Sequence, residues 1–352
     1  MSEGFDFDFD LLAELTETSG VPGYEDRIRE IVRRELEPLV DELSTDAMGN
    51  VVGTVEGSGE GAVVVAAHMD EIGFMVRDID KHGFVAVDPL GGWDARVLRA
   101  QRVTIHTDDG DVPGVIGSLP PHSQNDGDSA DGQDVEDVRI DLGLDDETVE
   151  ELVSVGDIVT MDQTTEVVGD TVTGKALDDR VCLFAMLEAA QRLDDPDVTV
   201  HFAATVQEEV GLRGAEALGF DLDYDIALAL DVTVANDVST FKREERVTEL
   251  GDGTAIKLKD SSVITHPTVH RRLREIAEEE GIEYQLEVLP RGGTDTAGFQ
   301  KASGAKPAGA LSIPTRYLHT VTESAHHEDV SATIDLLTAF LESDPTDVDY
   351  SL

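Results

Sequence analysis

Three short runs constrain this chain more than anything else in it: VVVAAHMD from Val63 to Asp70, HFAATVQEE from His201 to Glu209, and IALALDVT from Ile226 to Thr233. Each is apolar for about the length of a strand and then turns to imidazole or carboxylate. Strands without apolar–polar alternation are covered on both faces, which calls for helices above and below a largely parallel sheet. Helical periodicity is present to supply them. It spans residues 8 to 17 and 25 to 39, where Ile28, Ile31, Val32 and Leu36 share a face, and then residues 179 to 193, 267 to 280 and 330 to 341. Strands alternating with helices in this way predict an α/β fold.

Between about residues 73 and 165 the texture changes. Short strand-like runs such as FVAV, RVTIHT, DVPGVIG and DIVTM are separated by turns, and the one helical stretch lies at residues 145 to 153. This predicts an inserted, β-rich domain, with residues 1–72 and 166–352 forming one catalytic domain around it. Within the insert, residues 121 to 137 are polar and glycine-rich with almost nothing to bury, so a mobile loop is expected there. At 352 residues the chain is long enough to hold a core without disulfides or a structural metal.

The formal net charge is −49, from 75 acidic and 26 basic residues, of which only 7 are lysine. Phosphate backbones would be repelled, so nucleic acid is not an expected partner. The acids are spread through segments with clear apolar periodicity, which places them on a folded surface, and such a surface fits adaptation to high salt. No run approaches the roughly 20 apolar residues that span a bilayer, and the first residues lack the pattern of a secretory signal, so a cytoplasmic chain is expected. A single cysteine, Cys182, excludes a thiolate metal cluster within one chain. Any metal must be held by histidine and carboxylate.

Those groups sit where strands end. His68 and Asp70, then Glu208 and Glu209, then Asp231 follow the three apolar runs; Asp178 and Asp179 head a helix; and His319 follows the strand-like GALSI segment. Ligands of open α/β sheets collect outside the carboxyl ends of strands, so these groups can converge although they are far apart in sequence. Imidazole and carboxylate together suit Zn²⁺ or Co²⁺, and a carboxylate can bridge two ions about 3.5–4 Å apart. Asp70 is spaced to fix the tautomer of His68. Each piece has a plainer reading: a His-x-Asp is commonly a hydrogen-bonded pair, and an Asp doublet before a helix is commonly an N-cap. By the same reasoning His201 reads as a packed core residue within a strand, His326 and His327 as a helix cap, and Cys182 as core.

Taken together, AHMDEIGFMV, GKALDDR, QEEVGLRGA, LDVTVA, RGGTDTAG and RYLHT resemble, in that order and over essentially the whole chain, the M42 metallo-aminopeptidases, also called tetrahedral or TET peptidases. The resemblance implies a three-layer α/β/α domain of the dinuclear metallopeptidase type with an inserted small β-barrel-like, PDZ-like dimerisation domain. It implies two divalent ions per subunit, one held by His68 and Asp231, the other by Glu209 and His319, with Asp178 bridging. Glu208 becomes the general acid/base for hydrolysis of an N-terminal peptide bond, with Asp70 beside it. Gly292, Gly293, Thr294 and Asp295 are candidates for the substrate site, and a dodecamer built of dimers is the implied assembly. Cys182 and Thr296 depart from the residues usual in such segments, neither at a ligand position. The enzymatic alternatives are another dinuclear hydrolase, such as a carboxypeptidase or deacylase, or a glycoside hydrolase; the non-enzymatic one is an acidic scaffold.

Overall fold

The computed structural model describes residues 5–118 and 134–352. The chain begins with α1 (Phe9–Glu17), α2 (Asp26–Leu36), β1 (Glu42–Thr45), β2 (Val51–Val55) and β3 (Ala62–His68). Next come β4 (Gly73–Ile79), β5 (Val85–Leu90), β6 (Gln101–Thr107), β7 (Gly110–Ile116), β8 (Arg139–Asp141), α3 (Asp146–Leu152) and β9 (Ile158–Met161). Then follow β10 (Glu166–Val168), β11 (Thr171–Gly174), α4 (Leu177–Arg192), β12 (Thr199–Thr205), α5 (Arg213–Asp221) and β13 (Ile226–Val234). The chain closes with β14 (Thr254–Lys259), α6 (Pro267–Glu280), β15 (Tyr284–Val288), α7 (Thr296–Lys301), β16 (Ala308–Arg316), β17 (Glu323–His326) and α8 (His327–Glu342).

The main sheet runs β1-β2-β12-β3-β13-β16-β17-β11-β10, with β14 branching from β16 and β15 pairing β14. Its centre, β12-β3-β13-β16, is parallel throughout. The period-two alternation of a strand divides these apolar residues between two cores. Val63, Val65 and Ala67 of β3 pack with Leu228 and Leu311 under α1, α2, α4, α6 and α8. Val64 and Ala66 face the other way, against Ala215 and Leu218 of α5 and Phe299 of α7. Helices on both faces of one sheet make the three-layer architecture that the unalternating strands predict.

The β-rich stretch forms a closed barrel, β4-β5-β8-β7-β6-β9. Phe74 and Val76, Val85 and Val87, and Val103 and Ile105 point inward at alternate positions and are buried together. Part of the predicted mobile loop, residues 121–133, lies outside the described residues; its last three, Val135–Asp137, form a short 3₁₀ turn. Among the described residues no helix is long and apolar enough to cross a membrane.

Three local expectations are corrected. Asp231 lies inside β13 and not past its end, because β13 stays paired with β16 as far as Val234. Asp178 and Asp179 do not cap α4, although the regular turns begin just after them: the Asp178 oxygens face His68 and His319, and Asp179 accepts from the His68 N–H. His201 is half-buried, not in the core, and its Nδ1 lies 2.9 Å from the Thr54 hydroxyl. His326 caps α8 as expected, accepting from the Glu328 N–H, and Cys182 is fully buried.

Candidate metal centre

The ends of β3 and β12 bring the first groups together. His68 is the last residue of β3, and its side chain is 2% exposed. Its Nδ1 lies 3.0 Å from the Asp70 carbonyl oxygen. A carbonyl only accepts, so the imidazole proton sits on Nδ1 and the Nε2 lone pair faces outward. Asp70 itself is fully buried, and its two carboxylate oxygens accept from the backbone N–H groups of Glu208 and Glu209, at 3.0 and 3.1 Å. This grip fixes the glutamate doublet just beyond β12.

Asp178 stands between the two histidines. Its Oδ1 is 3.3 Å from His68 Nε2, and its Oδ2 is 3.4 Å from His319 Nε2. His319 Nε2 is also 3.7 Å from Glu209 Oε2, and His68 Nε2 is 4.0 Å from Glu208 Oε2. Three sets of donor atoms gather within 4.8 Å of one another: His68, Asp178, Asp179 and Asp231; His68, Glu208 and Glu209; and Asp178, Glu209 and His319. All five residues expected to hold metal therefore meet in one place, with Glu208 beside them.

The electrostatics of the site follow from burial. Desolvation raises the carboxyl groups of Glu208 and Asp231 well above their ordinary range, and it brings Glu209 to about 8 with help from the Asp178 charge. Asp178 moves the other way: burial would raise it, but hydrogen bonds to His319 and His68 hold it well below the usual carboxylate range. His319 is driven up to about 10, its burial outweighed by Asp178 and Glu209. Acids crowded around two imidazoles are a donor set short of positive charge.

The residues fit divalent metal. Donors around a tetrahedral zinc at about 2.1 Å stand roughly 3.4 Å apart, and the contacts found here are 3.3, 3.4 and 3.7 Å. An Nε2 lone pair aimed at a carboxylate oxygen is repulsive unless a proton or a cation lies between them. Nitrogen and oxygen donors of this kind suit zinc, cobalt or manganese.

The proposed substrate residues lie differently. Gly292 and Gly293 are exposed, and Gly292 has φ +98°, so the turn itself requires glycine. Thr294 and Asp295 are buried, Asp295 accepting from the Thr205 hydroxyl at 2.5 Å at the end of β12. None of the four belongs to the donor groups.

Two further residues contribute, and one of them, Glu323, is not among the residues that the sequence singles out for the site. Glu323, at the start of β17 and 2% exposed, accepts from the His319 N–H at 2.8 Å and the Asp178 N–H at 3.0 Å. Its only mark in the sequence is an acid four residues past His319. Asp179 accepts from the His68 N–H at 3.1 Å, while its Oδ1 is buried without a partner. The doublet was visible, but not which acid does what.

Similarity to known proteins extends over nearly the whole chain. The family described as M42 glutamyl aminopeptidase matches residues 49–336. The lysyl aminopeptidase of Pyrococcus furiosus is 36% identical over 345 residues, covering 95% of this chain and 97% of that one. Among solved structures, an aminopeptidase from the archaeon Desulfurococcus kamchatkensis superposes with a TM-score of 0.91 at 39% identity, over 95% of this chain and 94% of its own. The Pyrococcus horikoshii TET1 peptidase, described as assembling into a tetrahedron or a large octahedral shell, superposes with a TM-score of 0.86 at 34% identity, over 94% of this chain and 98% of its own. With its fold, its His and carboxylate cluster and near full-length similarity all in accord, the chain belongs to the M42 family and is an aminopeptidase.

Proposed function

We propose that the chain removes N-terminal residues from peptides using two divalent cations, zinc or cobalt, one held by His68 and Asp231 and the other by Glu209 and His319, with Asp178 shared. The observation that carries this reading is the disposition of Asp178, whose two oxygens face the two imidazole Nε2 atoms at 3.3 and 3.4 Å. Bound there, the cations supply the charge that acidifies a water and polarises the scissile carbonyl. Glu208 takes the water's proton on its carboxylate and returns it to the leaving amine. Burial raises its carboxyl above the ordinary range, which strengthens its affinity for the water's proton. Asp70 keeps Glu208 and Glu209 on their separate tasks through the two backbone N–H groups it accepts from.

Several finer features belong to the same reading. Residues 73–165 act as a dimerisation domain, and dimers build a hollow dodecamer; the assembly described for the Pyrococcus horikoshii peptidase supports this. Gly292, Gly293, Thr294 and Asp295 border the substrate. Glu208→Gln tests the core of the proposal. It is expected to lower kcat on aminoacyl-p-nitroanilides by at least about 100-fold while the protein keeps two metal equivalents, and a chelator is expected to silence the wild type until metal is restored. Turnover that survives complete metal removal, or that proceeds equally on N-blocked peptides, overturns it.

A further inference from the structure

The barrel reaches the metal centre through one turn. Gly91 and Gly92 follow β5, and the Gly92 carbonyl oxygen stands 2.7 Å from His319 Nδ1. As at His68, the carbonyl can only accept, so this contact places the imidazole proton on Nδ1 and turns the Nε2 lone pair toward Asp178 and Glu209. The two histidines differ in what holds them. The carbonyl serving His68 comes from Asp70, two residues along the same segment, and that side chain is 2% exposed. His319 has 38% of its side chain exposed and sits in the β16–β17 connection at φ +58°. Its ring orientation depends on a neighbour 227 positions away in sequence.

That neighbour is itself anchored. The Trp93 ring stacks on Phe74 with centroids 5.2 Å apart and planes at 15°, and its Nε1–H donates to the Gly73 carbonyl at 3.1 Å. Phe74 is fully buried in the barrel core. Both glycines have steric reasons. Gly91 holds φ +91°, and a Cβ there would fall 2.4 Å from Ile72 Cγ2. A Cβ on Gly92 would lie 3.2 Å from His319 Nδ1 and 3.4 Å from Cε1, close enough to push the ring, while the Gly92 backbone lies outside the left-handed region. Gly92→Ala therefore touches the imidazole without straining its own backbone.

We propose that Gly92 and Trp93 are positioning residues for the metal position at His319, so that the inserted barrel forms part of the metal centre. The proposal rests on the two-cation reading above. Its test is a Co²⁺ titration of the metal-free protein, followed by calorimetry and by the visible absorption of the bound ion. The proteins compared are wild type, Gly92→Ala, Trp93→Ala, Trp93→Phe and a control, Gly117→Ala, whose added Cβ meets nothing within 4 Å among the described residues. Wild type and control are expected to take up two equivalents alike. Gly92→Ala and Trp93→Ala are expected to bind one equivalent normally and the other about 10- to 100-fold more weakly, with an altered spectrum for that increment. Trp93→Phe, which keeps a ring to stack on Phe74, is expected to recover part of the loss. Two unaffected steps in both variants overturn the proposal, and so does equal weakening of both steps, the signature of general loosening. If metal-free Gly92→Ala melts well below wild type, the Trp93 variants decide by the same criteria. A wild type that fails to take up two equivalents overturns the two-cation reading instead.

Discussion

Glu323 shows how much of this site depends on a side chain that touches no reacting atom. Its two oxygens accept from the backbone N–H groups of Asp178, the proposed shared ligand, and of His319. A carboxylate has acceptors for both donors, whereas an amide presents only one oxygen, so Glu323→Gln loses one of the two bonds and Glu323→Ala loses both. Each variant is expected to weaken metal binding, by about 10-fold for glutamine and more for alanine, read as metal content after dialysis against metal-free buffer. Wild-type retention in the alanine variant would remove Glu323 from the site. Of the proposed ligands, His68, Glu209 and Asp231 were legible in the sequence because each stands in or just after a strongly apolar run, where an unpaired charge is costly to bury, whereas Asp178 was marked by the family resemblance. Glu323 was not legible, because its partners are backbone groups that leave no trace in residue identity.

At the scale of elements, a buried ionic network ties the α1–α2 turn to the exits of β3 and β11. Glu71 pairs with Lys175 at 2.7 Å and accepts from the Gly20 N–H at 3.1 Å, while Arg180 in α4 donates to the carbonyls of Leu15 and Thr18. Glu25 lies nearby, 1% exposed, with one oxygen accepting from the Gly23 N–H at 2.7 Å and the other buried without a hydrogen bond. Burial raises its carboxyl to about 7. The folded state thus holds this proton more tightly than the unfolded chain does. The resulting contribution to stability is complete below the ordinary value of 4.5 and is lost as pH rises through about 7. Glu25→Gln should therefore gain on wild type between pH 5 and pH 8, by a difference on the order of 3 kcal/mol, measured by urea unfolding. A difference independent of pH would show that the group ionises freely. The helices and central strands of this region follow the sequence periodicity closely. The short strands β1, β10, β11 and β17 have too few residues for any period to show, and only their pairing in the sheet defines them.

The whole molecule carries a formal charge of −49 on one polypeptide. In about 0.01 M salt the Debye length is roughly 30 Å, so carboxylates across the domain repel one another; at about 1 M it is roughly 3 Å and only near neighbours interact. The thermal midpoint is expected to rise steeply from dilute buffer to molar KCl, and any assembly to come apart at the low end. Equal midpoints in the two solutions would detach the acidity from stability. Most of the ion pairs cannot offset this repulsion, since they lie at the surface, as Arg27–Asp111 and Arg34–Glu14 do, where such pairs contribute little.

The order of residues along the chain determined that there would be a doubly covered sheet, a β-rich insert and a cluster of acids and imidazoles, because burial on two faces and the length of apolar runs are written directly in side-chain identity. Only the folded chain decided which Asp178 oxygen meets which histidine, that Asp231 sits within a strand, and that a barrel carbonyl and a buried glutamate orient His319. Those are contacts between backbone groups and residues far apart in sequence, and packing in three dimensions is what brings them within hydrogen-bonding distance.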